Sequence, residues 1–563
     1  MPKPPTANTT SSSPNSTTPC HLKRARSSSA GQAFPRPVAD SPRTIPSSAG
    51  PTSGGDYSGR RFRASVLRYL GGRGVNAVLA FTVLVLLARM LPADEYAAYV
   101  SAFALLEITM LMSSLGMEWV TGIYIPQIRL KGAGTAMTRF VGSVVAIQAV
   151  AAALLGAALW FFAAPIAGWM GMAQAAPVYQ LYGVVVFLEA VSRVMRDQIL
   201  SCLLLQGASQ LAQTARNVVL LACIVWLLPA ADATALHVAQ FEVFASASSL
   251  VVGAAFVGCF LWRQRHQQGA GPDWRPPTLA EMFSMGRAAW VANLASLAWG
   301  SQVIVLLTTK ILGTEVGAMT GFVRNLAEQV RRYLPAELLF GILRPVLVAR
   351  YADEQDLSRL ASRCSFLFKL NTVSIALIVV ACLVCGDNLF KLLTAGRYPG
   401  AADLAVVWFA VFVFAGQRRY TDLLLHTAQR SQVIQRTSLL LVPAPLLIFV
   451  VLTLFRDPVF ALFAVAAIEL AYTLVGLHAA RLGRAVASVD WWGGARILLA
   501  AGLVGLGGHW LADTLESQWA VFGTALVAAG LFMASLWLIS PLSANEASLV
   551  PERFARLRGA LAR

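Results

Sequence analysis

Long apolar runs recur along the chain: Val75–Leu91, Phe140–Ala163, Val218–Leu228, Val243–Trp262, Ser374–Cys385, Leu439–Phe455 and Val521–Ile539. They constrain the fold more than any other feature, because a bilayer core about 30 Å thick takes roughly 20 helical residues per crossing. Helices of that length placed on the runs number about fourteen, near 67–90, 95–118, 140–163, 178–203, 210–229, 237–262, 282–311, 317–343, 366–385, 403–427, 433–455, 459–480, 493–512 and 518–540. Apolar residues make up 57% of the chain and charged residues only 13%. A soluble domain usually carries about 25% charged residues, so this much apolar surface cannot hide in a water-soluble core. Strands of alternating polarity are absent, which argues against a β-barrel. The expected class is an all-α polytopic membrane protein.

The net charge of +17 raises the question of nucleic acid. Its distribution answers it, since the basic residues fall in loops between apolar helices rather than on one face. Residues 1–63 are rich in Ser, Thr and Pro, basic, and poor in aromatic residues. They read as a disordered tail without a signal-peptide hydrophobic region, and no nucleic-acid partner is expected. With that tail in the cytoplasm, alternate loops are basic: Arg129, Lys131 and Arg139; Arg216 near the next; Arg263, Arg265 and Arg275; Arg350, Arg359, Arg363 and Lys369; Arg430 and Arg436; Arg481, Arg484 and Arg496. The opposite loops 163–177 and 229–237 contain no Lys or Arg, and the exceptions on that side are Lys391, Arg397 and Arg456. The positive-inside rule then places both termini in the cytoplasm. Pro551–Arg563 reads as a basic amphipathic segment resting on anionic lipid headgroups. The cysteines read as packing thiols, and no metal site is expected.

Charges inside the apolar helices carry the functional signal. Such a residue costs about 2.5–3.5 kcal/mol on insertion scales unless it is paired or hydrated. Glu189, Arg193, Arg196 and Asp197 fall on one stripe of the fourth helix, where Glu189–Arg193 and Arg193–Asp197 can pair. Arg324, Glu328, Arg331 and Arg332 share the eighth, and Arg418 and Asp422 the tenth. Arg73 lies on the first and Arg287 on the seventh. Together they predict a hydrated central cavity with excess positive charge. Guanidinium groups match phosphate oxygens in bidentate geometry, so Arg73, Arg193, Arg196, Arg287, Arg324, Arg331 and Arg418 are the candidate ligands of an anionic headgroup. Glu189, Asp197, Glu328 and Asp422 are candidate ion-pair carboxylates. Glu107 and Glu118 share a face of the second helix with no arginine in it, which makes them candidates for a coupling proton or Na⁺. No other cofactor is expected. No HExxH, GxSxG or phosphate-cradling glycine loop stands in a suitable context, so a transporter is expected rather than an enzyme.

The segment Val83–Leu91 resembles Val303–Leu312, each followed by a short acidic turn. The two lie about six helices apart, a spacing typical of transporters built from parallel repeats. Helix one ends Leu87-Ala-Arg-Met-Leu-Pro-Ala-Asp-Glu-Tyr96 and helix two ends Ser113-Ser-Leu-Gly-Met117. These ends resemble the start of bacterial lipid-linked oligosaccharide flippases (Wzx-type) in the multidrug/oligosaccharidyl-lipid/polysaccharide (MOP) exporter superfamily. Pro92 and Ala97 stand where that family commonly carries glycine.

The resemblance implies two pseudo-symmetric six-helix lobes, 64–262 and 282–480, around a central cavity and joined by a linker at 263–281. It further implies peripheral helices in 481–540 and a basic tail at 541–563. The implied substrate is an undecaprenyl-pyrophosphate-linked oligosaccharide, moved across the bacterial inner membrane by alternating access in concert with polysaccharide polymerase and export machinery. Two other functions remain open. One is a multidrug or toxin exporter of the same superfamily; the other is a membrane-embedded polysaccharide polymerase or ligase, which would need a larger extracytoplasmic loop than 386–402.

Overall fold

A computed structural model of the chain describes residues 59–228, 232–266, 277–297, 300–334, 337, 347, 351, 356–427, 431–479 and 490–547, with most side chains from Gly71 onward. The tail before Gly59, the middle of the 263–281 linker, Arg350, Arg481, Arg484 and Pro551–Arg563 lie outside the described residues. Among those described, the chain is all helix. The elements are α1 (Gly59–Met90), α2 (Ala93–Ser113), α3 (Met117–Lys131), α4 (Gly134–Phe161), α5 (Ala163–Met170), α6 (Ala176–Arg193), α7 (Gln206–Leu227), α8 (Ala235–Gln264), α9 (Leu279–Leu297) and α10 (Ser301–Leu312). They continue as α11 (Thr314–Arg331), α12 (Leu357–Thr394), α13 (Ala401–Thr427), α14 (Ser431–Ser438), α15 (Ala444–Phe455), α16 (Pro458–Ala479), α17 (Trp491–Ala512), α18 (Gln518–Ile539) and α19 (Ala544–Ala547).

Among the described residues, twelve helices are long and apolar enough to cross a bilayer. A helix occupies each of the fourteen or so positions that the apolar runs predict, and the shortfall has two causes. The helix expected over 282–311 is broken into α9 and α10, with Gly300 as the N-cap of α10. Arg324, Glu328 and Arg331 leave α11 too polar to qualify by composition. The outer surface is greasy: Phe161, Trp226, Trp519 and Leu538 are among many large apolar side chains left exposed. Water would penalise such a surface, whereas lipid chains would not.

Several boundaries differ from the sequence reading for local reasons. Gly59–Arg63, read as tail, already belongs to α1. The second helix stops at Ser113, because Leu115 and Gly116 take positive φ (46° and 71°) and turn the chain. Glu118 therefore falls in the first turn of α3 and does not share a helix face with Glu107. Arg129 and Lys131, expected in a loop, lie in α3. Arg216 and Lys369, counted with the basic loops, lie inside α7 and α12, within the spans expected over 210–229 and 366–385. Because α12 runs on to Thr394, the connection before α13 shrinks to residues 395–400. In the helix expected over 433–455, a 3-10 turn at Leu439–Leu441 and Pro443 separate α14 from α15.

In the first part of the chain α4 packs on α6, α6 on α8, α8 on α7 and α7 on α1. Close backbone approach permits this: a Cβ on Gly156 would lie 2.4 Å from the Gly183 carbonyl oxygen. In the later part α12 packs on α13, α13 on α16 and α10 on α11, and α17 and α18 pack on α12 and on each other. The two parts meet through α2, which lies against both α10 and α11. The repeat segments hold matching places, since Val83–Leu91 ends α1 just before α2 and Val303–Leu312 ends α10 just before α11. Glu107 and Glu328 stand at the same distance from the starts of α2 and α11.

Candidate functional site

Between these helices lie three adjoining chambers, with volumes of about 420, 400 and 360 Å³. Each is of ligand-binding size. They share walls. Arg216, Asn217 and Arg332 line the first and third, Glu107 and Gln302 the first and second, and Arg193 and Asp197 the second and third.

The third chamber is built around Glu189 of α6. This carboxylate is buried and accepts from three guanidiniums: Arg193 Nε at 3.1 Å, Arg196 Nη2 at 3.4 Å and Arg216 Nε at 3.2 Å. Arg216 also holds Glu242 of α8 at 2.5 Å. With Asp197 on Arg196 and Glu242 on Arg216, the three cations of this cluster meet three carboxylates. Five arginines (Arg73, Arg193, Arg196, Arg216 and Arg332) face this chamber, against the carboxylates of Glu189 and Asp197. Arg73 donates to the Arg332 carbonyl at 2.7 Å and lies over the Tyr333 ring. The Arg332 side chain is exposed to the chambers and makes no ion pair among the described residues. An amide chain completes the wall: Asn217 donates to Asn76 at 3.0 Å, Asn76 to Gln210 Oε1 at 3.1 Å and Gln213 to Asn217 at 3.1 Å.

Local helix geometry sets this arrangement. Residues Val194–Leu200 form a π-helical turn, a widening often found at functional sites. The extra residue per turn moves Asp197 off the expected stripe. Asp197 pairs with its neighbour Arg196 at 3.0 Å, not with Arg193. The predicted Glu189–Arg193 pair is present.

The first and largest chamber reaches across the molecule to Glu469. Arg324 of α11 pairs with Glu107 of α2 and donates to Ser301 Oγ at 3.1 Å. Arg331 pairs with Glu328 at 2.9 Å and lies over the Phe412 ring. Its four arginines and four carboxylates balance. The second chamber reverses the sign, with Arg193 alone against Glu107, Glu118 and Asp197. The three together carry seven arginines and seven carboxylates. The excess of positive charge that the sequence predicts for the whole cavity is therefore confined to the third chamber.

Two expected arginines stand elsewhere. Arg287 is exposed and lines none of the three chambers, because the adjacent Gly286 takes the packed face of α9 against Gly116. Arg418 lies over the Tyr472 ring and is held by Glu469 at 3.6 Å and Asp422 at 3.8 Å, behind the wall that Glu469 presents. Glu107 has the arginine partner its own helix lacks, supplied by α11. Glu118 accepts from Asn293 of α9 at 2.9 Å. Sequence reading missed Arg216 as a central residue by counting it toward the neighbouring inside loop, although the expected span 210–229 contains it. Its position ten residues inside a 22-residue apolar helix was the available signal.

Both ends of the chamber system are bridged. At the Leu91 end, Arg397 donates to the Leu91 carbonyl, Arg89 donates to the Leu393 carbonyl at 3.0 Å, and Tyr96, Phe322 and Tyr398 cluster. At the Gly116 end, Trp290 Nε1 donates to the Met112 carbonyl at 2.8 Å. There a Cβ on Gly116 would lie 2.1 Å from the Gly286 oxygen.

No family model matches the chain, and no curated protein matches it in sequence. Solved structures do match it in fold. The lipid II flippase MurJ in an inward closed conformation superposes with a TM-score of 0.57 at 10% identity, over 83% of this chain and 97% of that one. An inward-facing multidrug resistance MATE family transporter of the MOP superfamily superposes with a TM-score of 0.54 at 12% identity, over 76% of this chain and 99% of that one. The chain is thus a multi-pass helical membrane protein with the fold of these transporters.

Proposed function

We propose that this protein carries a lipid-linked saccharide across a membrane by its diphosphate, which binds among Arg73, Arg193, Arg196, Arg216 and Arg332. The observation that carries this reading is the third chamber: five lining guanidiniums against three carboxylates, Glu189 and Asp197 in the lining and Glu242 on Arg216, with Arg332 in no salt bridge among the described residues. An anionic oxygen cluster satisfies such a surplus, and bidentate guanidinium–phosphate contacts fix its orientation. A sugar headgroup cannot cross hydrocarbon alone, because its hydroxyls would lose their hydrogen bonds. A polar passage between helices removes that barrier, and no covalent step is required. The finer reading is an undecaprenyl-pyrophosphate-linked oligosaccharide in a bacterial inner membrane, moved by alternating access with both termini cytoplasmic. The fold shared with MurJ, whose name gives lipid II as its substrate, supports it. A coupling proton or Na⁺ belongs to the same proposal, taken up at Glu107 or Glu118.

The test is reconstitution into liposomes carrying a fluorescent short-chain polyprenyl diphosphate saccharide. The wild-type protein is expected to move the label between leaflets. Arg332→Gln is expected to cut the rate about tenfold, the size of one charge-assisted hydrogen bond, with folding unchanged. Transport of a cationic dye such as ethidium, with the diphosphate lipid left in place, would make the protein a cation exporter instead.

A further inference from the structure

The second chamber differs from the third in chemistry as well as charge. It is lined by the amides of Gln148, Gln198 and Gln302 and the hydroxyls of Ser113 and Ser114. Gln148 and Gln198 form a reciprocal pair at 3.2 and 3.4 Å, and Gln148 also donates to the Ser114 carbonyl at 3.1 Å. Gln302 donates to Glu107 at 2.9 Å. The chamber has one arginine for three carboxylates, and no aromatic ring stands among its described lining residues. It adjoins the cationic chamber directly, through Arg193 and Asp197.

Each feature narrows the occupant. Amide and carboxylate oxygens accept from hydroxyls, and amide N–H groups donate to hydroxyl and ring oxygens, so the lining matches a polyhydroxylated ligand. Arg324 holds Glu107 and Arg196 holds Asp197, so Glu118, in no ion pair among the described residues, is the negative charge that repels a carboxylate or second phosphate and accepts a neutral or ammonium-bearing ligand. Without an aromatic face, a planar organic cation has nothing to stack on. At about 400 Å³ the space is of ligand size.

We propose that this chamber holds the glycosyl part of the ligand and selects neutral or amino sugars over acidic ones. The inference rests on the diphosphate reading above: with the diphosphate among the arginines, the first sugar passes Arg193 into this space. Glu118 sets the charge preference, and the Gln148–Gln198 pair reads hydroxyls.

The experiment measures binding of farnesyl diphosphate and its glucosyl, glucosaminyl and glucuronosyl adducts to the purified full-length protein in nanodiscs. The glucosyl and glucosaminyl adducts are expected to bind about tenfold more tightly than farnesyl diphosphate, the worth of one or two good hydrogen bonds, and the glucuronosyl adduct no more tightly. Gln198→Ala is expected to erase the gain from glucose while leaving farnesyl diphosphate affinity in place. Glu118→Gln, isosteric at an exposed position, is expected to narrow the gap between glucosaminyl and glucuronosyl adducts, and it carries the test if Gln198→Ala does not fold. A glucuronosyl adduct that binds the wild-type protein as tightly as the glucosyl one overturns the inference. So does a Gln198→Ala or Glu118→Gln protein that treats all four probes as the wild type does. If farnesyl diphosphate does not bind but the glucosaminyl adduct does, the diphosphate reading falls and the sugar chamber stands. If no probe binds, both fall.

Discussion

Glu189 and Lys369 are buried to the same degree, at 2% and 1% side-chain exposure, and each is the centre of a many-partnered ionic cluster. Glu189 gathers Arg193, Arg196 and Arg216 in the wall of a polar chamber. Lys369 lies in α12, where it donates to Glu546 at 2.5 Å and to Asp490 and the Pro541 carbonyl at 2.6 Å. It lines none of the chambers. It ties the start of α17 and the segment after α18 to α12, so residues 541–547, read from sequence as the beginning of a basic tail, dock through Glu546. Buried charge in a membrane protein is a reasonable default sign of function, and the two clusters show its limit. What separates a site from a staple is whether the charges border space that a ligand can enter.

That contrast can be broken by experiment. The largest expected effect is from Lys369→Met, which leaves two acidic groups without their cation. Removing one partner of a buried ion pair costs about 3–5 kcal/mol. The unfolding midpoint in detergent should drop sharply, while lipid movement per folded molecule stays normal. Lost transport with an unchanged midpoint would make Lys369 functional and erase the distinction. Glu189→Gln should act the other way. Because its arginines border an open chamber, the stability loss is expected to be smaller, about 1–3 kcal/mol. Diphosphate affinity should rise several-fold as the carboxylate stops competing for guanidinium, and turnover should fall because release slows. Weakened diphosphate binding in Glu189→Gln would show that the cluster serves only as scaffold.

The smallest effect concerns pH. Burial raises the Asp490 carboxyl, but hydrogen bonds from Lys369 and the Gly493 amide outweigh it and hold the group below the ordinary aspartate range. A depressed value in the folded protein contributes stability above the ordinary aspartate range and loses it as pH falls through the folded value. Asp490→Asn should therefore lower the midpoint slightly at neutral pH and flatten its decline in acid. An unchanged acid profile would detach Asp490 from the staple.

The all-helical fold and the position of nearly every helix were legible in the chain, because a bilayer demands continuous apolar segments and a sequence displays them directly. Arg73, Arg193, Arg196, Arg324 and Arg331 stood out for the same reason, as charges where lipid tolerates none unpaired. Partners across helices were not legible. That Glu107 would meet Arg324 from α11, or Glu242 meet Arg216, depends on how helices pack, which periodicity along one helix cannot encode. Arg216 and Lys369 fell in with the basic loops because composition near a helix end resembles composition just inside it. The division of one polar passage into a cationic chamber and an acidic, amide-lined one was likewise decided by tertiary structure. Charge in sequence is a sum, whereas a ligand meets only the side chains that converge on the space it fills.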